Sequence, residues 1–234
     1  MKWLTSLFGR RDPDDDRPLE QYRKFRALGR RLNVELIRQL PPPALPECGK
    51  KLGLYKAGTL ILNQDDEIAV AYDYCLQHYR RAGKNAIERA LSLTTPADDS
   101  DERVYLQTLS TARFALFRII EILPRRGARL LDLVTGASID IFDMGLNSSG
   151  QPGVIVAGRL LSFDDFTMSS GTLIPVQEPV FSARLQPVIE KFWPELPATD
   201  PNLAPAQAAA FEAQILRIAL HAEEDLSFYT DIES

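Results

Sequence analysis

The stretch "FALFRIIEIL", Phe114 to Leu123, decides how the chain is read. It is apolar almost throughout, rich in β-branched and aromatic side chains, and it runs into the turn-forming "PRRG". Such a run bounded by turn residues reads as a β-strand. Working outward, "ARLLDLV", "SIDIFDM", "GVIVAGRLL", "FTMSS" and "TLIPV" repeat the pattern, each bounded by Gly, Pro, Asn, Asp or Ser. Within 113–176 this predicts an antiparallel β-meander or small open barrel of about five or six strands. The strands cluster instead of alternating with helices, so the fold class is α+β.

Both flanks carry helical periodicity. Leu19, Tyr22, Phe25, Leu28, Leu32, Leu36 and Leu40 recur at three- and four-residue steps, a helix from about Pro18 that ends before "LPPPALP". Pro41, Pro42, Pro43 and Pro46 then predict an extended connector. A second long helix is expected from Asp65, with Asp65, Asp66 and Glu67 facing the positive end of its dipole and Gly83 ending or kinking it. Asp101 is placed to cap a further helix. Beyond Glu178 the helical period returns, and Ala206 to about Phe228 reads as the last helix. The organisation is thus 1–17 as a flexible leader, 18–112 helical, 113–176 sheet and 177–234 helical, with one compact domain from 18 onward.

The net charge of −5 and pI of about 5.2 argue against a dedicated nucleic-acid binder. No apolar run approaches the roughly 20 residues that span a bilayer, and the N-terminus lacks the apolar core of a secretory signal. With only Cys48 and Cys75, the chain has neither a disulfide framework nor a four-cysteine zinc site. A soluble cytoplasmic protein with two reduced thiols is expected.

Two regions of the chain carry a resemblance. "LGLYKAGTLILNQDDEIAVAYDYCLQHYRRAGKNAIER" has Gly58, Thr59 and Leu60 ahead of an acidic helix start, then Tyr79, Arg80, Arg81, Gly83, Lys84 and Asn85. "ARFALFRIIEILPRRGARLLDLVTG" and "GRLLSFDDFTMSSG" follow. Over roughly Leu52 to Val176 the chain resembles a family of uncharacterised bacterial proteins. The resemblance implies no activity.

Motifs for specific chemistry are missing. Neither phosphate-binding glycine pattern occurs, nor the nucleophile elbow G-x-S-x-G. "DMGLNSSGQPG", Asp143 to Gly153, lies between strands and reads as a chain reversal. His78 and His221 are expected as ordinary helix residues. Asp164 and Asp165 fit a hairpin turn. No cofactor and no metal site is expected.

The expected function is a non-enzymatic binding or protein-interaction protein of the bacterial cytoplasm. The alternative is an enzyme, hydrolase-like or metal-assisted, whose acids converge only in three dimensions. Arg118, Glu121, Asp132, Asp140 and Asp143, in or beside the sheet, form that candidate pool. A second alternative is a peripheral membrane or nucleic-acid adaptor using the basic face of the first helix, Arg23, Arg26, Arg30 and Arg31. An ordinary solvated face, or one paired with the acids Glu212, Glu223, Glu224, Asp225 and Asp231, competes with that reading. Trp3, Leu4, Leu7 and Phe8 in the leader offer a weak peripheral membrane contact or a hold on a protein partner.

Overall fold

The structure is a computed structural model that describes residues 17–62, 65–93, 99–222 and 229–230. The leader residues Trp3, Leu4, Leu7 and Phe8, and the acids Glu223, Glu224, Asp225 and Asp231, lie outside the described residues, as do the side chains of Asp65 and Asp66.

The first helix, α1 (Arg17–Arg38), buries Tyr22, Phe25, Leu32 and Leu36 on the face that the periodicity marks. The proline segment departs from the expected extended connector. It turns at once into α2 (Ala44–Leu52), with Pro46 in the first turn, where a missing N–H breaks no helical bond. Gly53, at φ 77°, ends α2 in the left-handed conformation. A hairpin follows, β1 (Tyr55–Lys56) and β2 (Thr59–Leu60).

The long helix expected from Asp65 is two helices, α3 (Asp65–His78) and α4 (Ala86–Leu93). Ala82 and Gly83 both take positive φ between them. Asn85 then starts α4 with a capping box: its Oδ1 accepts from the Glu88 N–H at 2.8 Å, and Glu88 accepts from the Asn85 N–H at 2.9 Å. The next helix, α5 (Asp101–Thr111), is capped by Ser100, one residue before the expected Asp101.

The strands are β3 (Phe114–Leu123), β4 (Gly127–Asp132), β5 (Ser138–Phe142), β6 (Ile155–Ser162), β7 (Thr167–Ser169) and β8 (Thr172–Val176). β3, β4 and β5 run as a meander, but β6 returns to the free edge of β3. β7 pairs with β6 and meets β5 in parallel at Phe142 and Met168, which closes the ring β3-β4-β5-β7-β6. β8 pairs with β6 outside that ring, and β9 (Tyr229–Thr230) extends β8. Between β5 and β6 the segment "DMGLNSSGQPG" departs from a plain reversal by forming a short helix, α6 (Met144–Ser149), which Asp143 caps by accepting from the Leu146 N–H at 2.9 Å. After β8 come α7 (Glu178–Val180), a π-helical turn (Phe181–Leu185), α8 (Gln186–Phe192) and α9 (Pro205–Leu220).

Alternation along β3 sorts the core. Ala115, Phe117 and Ile119 join Ala128, Leu130, Ile141 and Val156 inside the barrel, with Leu146 of α6. Phe114 and Leu116 point the other way, into the layer formed with α2, α3, α8 and α9. A third cluster seats α1, α4 and α5 on Phe142, Leu161, Phe166 and Met168. The first half of β3, Phe114 to Phe117, is therefore covered on both faces, which is why it is apolar without alternation, while Ile120 and Glu121 in its second half lie exposed. Gly127 is required where β4 meets β5: at φ 154° a Cβ there would lie 2.4 Å from the Ile141 carbonyl oxygen.

Candidate functional site

Where α3 and α9 cross the outer face of β6, charged side chains are buried together. Arg159 on β6 is 3% exposed and Glu212 on α9 is 1% exposed. The Arg159 Nη2 donates to both Glu212 oxygens, at 2.9 and 2.7 Å. Its Nη1 donates to the Ala112 carbonyl at 3.0 Å and its Nε to Asp73 of α3 at 3.3 Å. His78, at the end of α3, completes the network with Nε2 2.8 Å from Glu212.

Local sequence explains the placement. Glu212 lies on the stripe of α9 that buries Phe211, Ile215, Leu216 and Ala219. Arg159 follows Gly158, where a Cβ would come within 2.5 Å of Leu173, so the glycine lets β6 and β8 approach and carries Arg159 inward.

Environment drives the two carboxyls apart. Burial pushes the Asp73 carboxyl up, and Arg159 only partly offsets it. Burial also opposes ionisation of Glu212, but the adjoining Arg159 guanidinium and the His78 ring hold its carboxyl below the usual value. The Asp73 side chain keeps 32% of its surface exposed, so it is the member of the network that solvent or a ligand can reach.

A cleft lies on each side of this charged wall. The first, about 380 Å³, is walled by Val34, Ile37, Val70, Leu76, Ile174 and Leu216, with Asp73 and Arg159 at its polar end and Arg30 among its lining residues. The second, about 230 Å³, has Phe114, Trp193 and Phe211 against His78, Arg113 and Glu212. Concave spaces with apolar walls and a few convergent polar groups are where small ligands bind. Among the described residues, no three of His, Cys, Asp and Glu are gathered as a metal ion would need.

The sheet acids named from sequence are distributed over separate partners. Arg118 pairs with exposed Glu178 at 2.7 Å. Glu121 and Asp140 both meet Arg129, at 2.9 and 2.7 Å, on the exposed side of β3–β5. Asp132 is buried, paired with Arg113, and accepts from the N–H groups of Val134 and Thr135. Asp143, fully buried, caps α6 and accepts from the Ser169 hydroxyl at 2.7 Å. Of the basic face, Arg26 turns inward, 4% exposed, and donates to Ser169 at 3.0 Å. It sits one residue after Phe25 on the buried edge of α1, which is why it leaves the solvent face. Arg23, Arg30 and Arg31 stay exposed, and Arg31 pairs with Glu35 and Glu102. The acids that meet α1 therefore include the start of α5, while Glu212 is engaged by Arg159 and His78. The Ser148 and Ser149 hydroxyls donate to α6 carbonyls, an ordinary helix role.

Asp73, Arg159 and the pairing of His78 with Glu212 were not among the sequence candidates. One signal was available: "IAVAYDYCL", "VIVAGRLL" and "FEAQILRIAL" each place a single charge on an otherwise apolar face. Such a charge is rarely buried unless paired.

Neither the curated proteins nor the solved structures hold a match to this chain. A family profile does match, over residues 16–194, so it takes in α1 through α8 and includes Asp73, His78 and Arg159, while α9 with Glu212 lies beyond it. That match covers most of the chain: the protein belongs to the family described as a family of unknown function, DUF7986.

Proposed function

We propose that this protein is a non-enzymatic binding protein whose first cleft takes a small ligand with an apolar body and a hydrogen-bond-donating head. One observation carries the reading: a cleft of about 380 Å³ has apolar walls that close on Asp73 beside Arg159. The donors of Arg159 are taken up by Asp73, Ala112 and Glu212. Among the described residues Asp73 accepts one bond, at 3.3 Å from Arg159, so its remaining lone pairs match an incoming ammonium or hydroxyl. The buried free thiols Cys48 and Cys75 fit a reducing compartment, and we place the protein in the bacterial cytoplasm.

The test is a titration with hexylamine, hexanol and hexanoate, read by amide chemical shifts. Saturable hexylamine binding that Ala69→Trp at the cleft wall abolishes and Asp73→Asn weakens is the expected result. Absence of saturable amine or alcohol binding, or binding indifferent to Ala69→Trp, overturns it.

A second reading, acid–base catalysis, has one observation in favour: two carboxyls driven apart in strength share one guanidinium beside a cleft. It moves the acid from the sheet pool to Asp73. Hydrolysis of p-nitrophenyl esters lost in Asp73→Asn would support it, and rates equal to buffer would sink it. The adaptor reading has less support, since Arg26 is buried and Arg31 is paired within the chain.

A further inference from the structure

His78 engages one ring nitrogen and leaves the other. Its Nε2 lies 2.8 Å from Glu212, and its side chain is 10% exposed. Nδ1 has no hydrogen-bond partner among the described residues. It is not one of the buried unpartnered side-chain atoms, which are Arg26 Nε, Asn33 Oδ1, Arg113 Nη1 and Asn147 Oδ1. Nδ1 therefore keeps accessible surface, and the second cleft is the one that His78 lines. The Tyr74 ring packs on the imidazole at 4.8 Å, and its hydroxyl donates to the Ala209 carbonyl, so the imidazole is held in place.

Glu212 fixes which nitrogen carries the proton. Both its oxygens accept from Arg159, and its carboxyl is held below the usual value. An ionised carboxylate only accepts, so Nε2 donates to it. The lone pair of the neutral ring then falls on Nδ1, an acceptor presented to the cleft.

The surroundings decide what that acceptor takes. Each arginine lining the cleft already has its carboxylate: Arg80 with Glu88 at 2.9 Å, Arg159 with Glu212 at 2.7 Å, and Arg113 with Asp132. An incoming anion would lose its hydration and find no unmatched arginine. A cation would find Glu212 already engaged by Arg159 and His78. Nearby side-chain donors are taken as well: Gln77 by the Leu109 carbonyl, Asn85 by the Gln77 carbonyl and Ser110 by the Gln107 carbonyl. A neutral O–H or N–H satisfies Nδ1 without adding charge. The apolar wall is aromatic, with Trp193 and Phe211 edge to face at 4.9 Å and 85°. A flat ring packs on such a wall, and about 230 Å³ suits one ring.

We propose that this cleft is a separate site for a small neutral aromatic hydrogen-bond donor, a phenol in the simplest case. The phenol O–H donates to His78 Nδ1, and the ring packs on Trp193 and Phe211.

The experiment titrates phenol, anisole (the same ring without a donor) and benzoate into the full chain by calorimetry at about pH 8. The proteins are wild type, His78→Phe, Ala208→Phe, which fills this cleft from α9, and Ala69→Trp, which fills the first cleft. Phenol is expected to bind wild type and Ala69→Trp alike, about tenfold more tightly than anisole. His78→Phe removes that preference, and Ala208→Phe removes binding. Nitrogen NMR of the two labelled histidines should show His78 protonated at Nε2 and bare at Nδ1, with Nδ1 shifted by phenol and not by anisole. A proton on Nδ1, phenol binding no tighter than anisole, tighter benzoate binding, loss in Ala69→Trp, or retention in Ala208→Phe overturns the proposal. Should His78→Phe fail to fold, the phenol–anisole comparison and the ring spectra of the wild type carry the test.

Discussion

Two clusters in this molecule are built from the same residue types and behave in opposite ways. Glu121, Arg129 and Asp140 line up across β3, β4 and β5 in open solvent, their side chains 40–54% exposed. Asp73, Arg159 and Glu212 join α3, β6 and α9, with Arg159 and Glu212 removed from water. Each is one arginine between two carboxylates. In the exposed cluster water screens the charges and can replace any lost contact. In the buried one there is no substitute, so removing one partner strands the others in a medium that cannot solvate them. Burial, not residue identity, separates a screened surface cluster from a coupled buried network.

The comparison can be broken by mutation. The largest effect is expected for Arg159→Met, which leaves Asp73 without its cation and buried Glu212 with His78 alone, and costs about 3–5 kcal/mol by urea denaturation. Adding Glu212→Leu to that variant should recover part of the loss, because an apolar pair in the same space needs no solvation. A double variant less stable than Arg159→Met would show that the network is not acting as buried charge.

Next comes Asp143→Ala, which removes the α6 cap and the acceptor of the Ser169 hydroxyl. About 2–3 kcal/mol should be lost, and Asp143→Asn should recover the cap's share. Equal losses in both variants would assign the effect to charge alone.

A smaller effect is read through pH. The Asp73 carboxyl is raised in the folded state, so the folded chain holds that proton longer than the unfolded chain does. Its contribution is fully present below the ordinary 3.8 and is lost as pH rises through the raised value. Glu212 is lowered and has the opposite sign: its contribution is present above the ordinary 4.5 and is lost as pH falls through the lowered value. Asp73→Asn should therefore gain on wild type as pH rises from about 4, and Glu212→Gln should flatten the acid limb. A constant offset between Asp73→Asn and wild type from pH 3 to 7 would contradict this.

The smallest effect belongs to Arg129→Ala. Its urea midpoint should match wild type, and added salt should erase any difference. A clear loss of stability would mean that the exposed triad is not the screened cluster described above.

Much of the fold was legible in the sequence. The α1 stripe from Tyr22 to Leu36, the strand runs from Phe114 to Val176 and the helical flanks follow from local periodicity, which a single stretch of chain carries. Boundaries set by capping were harder. The box Asn85–Glu88 divides the long apolar stretch after Asp65, and Asp143 starts a helix inside what reads as a reversal. In both places one hydrogen-bonding side chain outweighed the composition around it.

The site was far less legible. Asp132 and Asp143 look like any strand-end acids, yet both are buried structural anchors. Glu121 and Asp140 look the same and are exposed. Asp73 and Glu212, 139 positions apart by their numbering, meet one guanidinium that neither stretch announces.

By itself, the sequence determined the α+β class, the amphipathic face of α1 and the clustering of the strands between helical flanks, because hydrophobic periodicity is a property of neighbouring residues. Only the tertiary structure decided that β6 returns to β3 and β7 closes the barrel onto β5, that Arg26 points inward, and that Arg159 is shared by Asp73 and Glu212 between two clefts. Those outcomes depend on which distant surfaces exclude water from one another. Desolvation is set by everything packed around a group, not by the residues beside it in the chain.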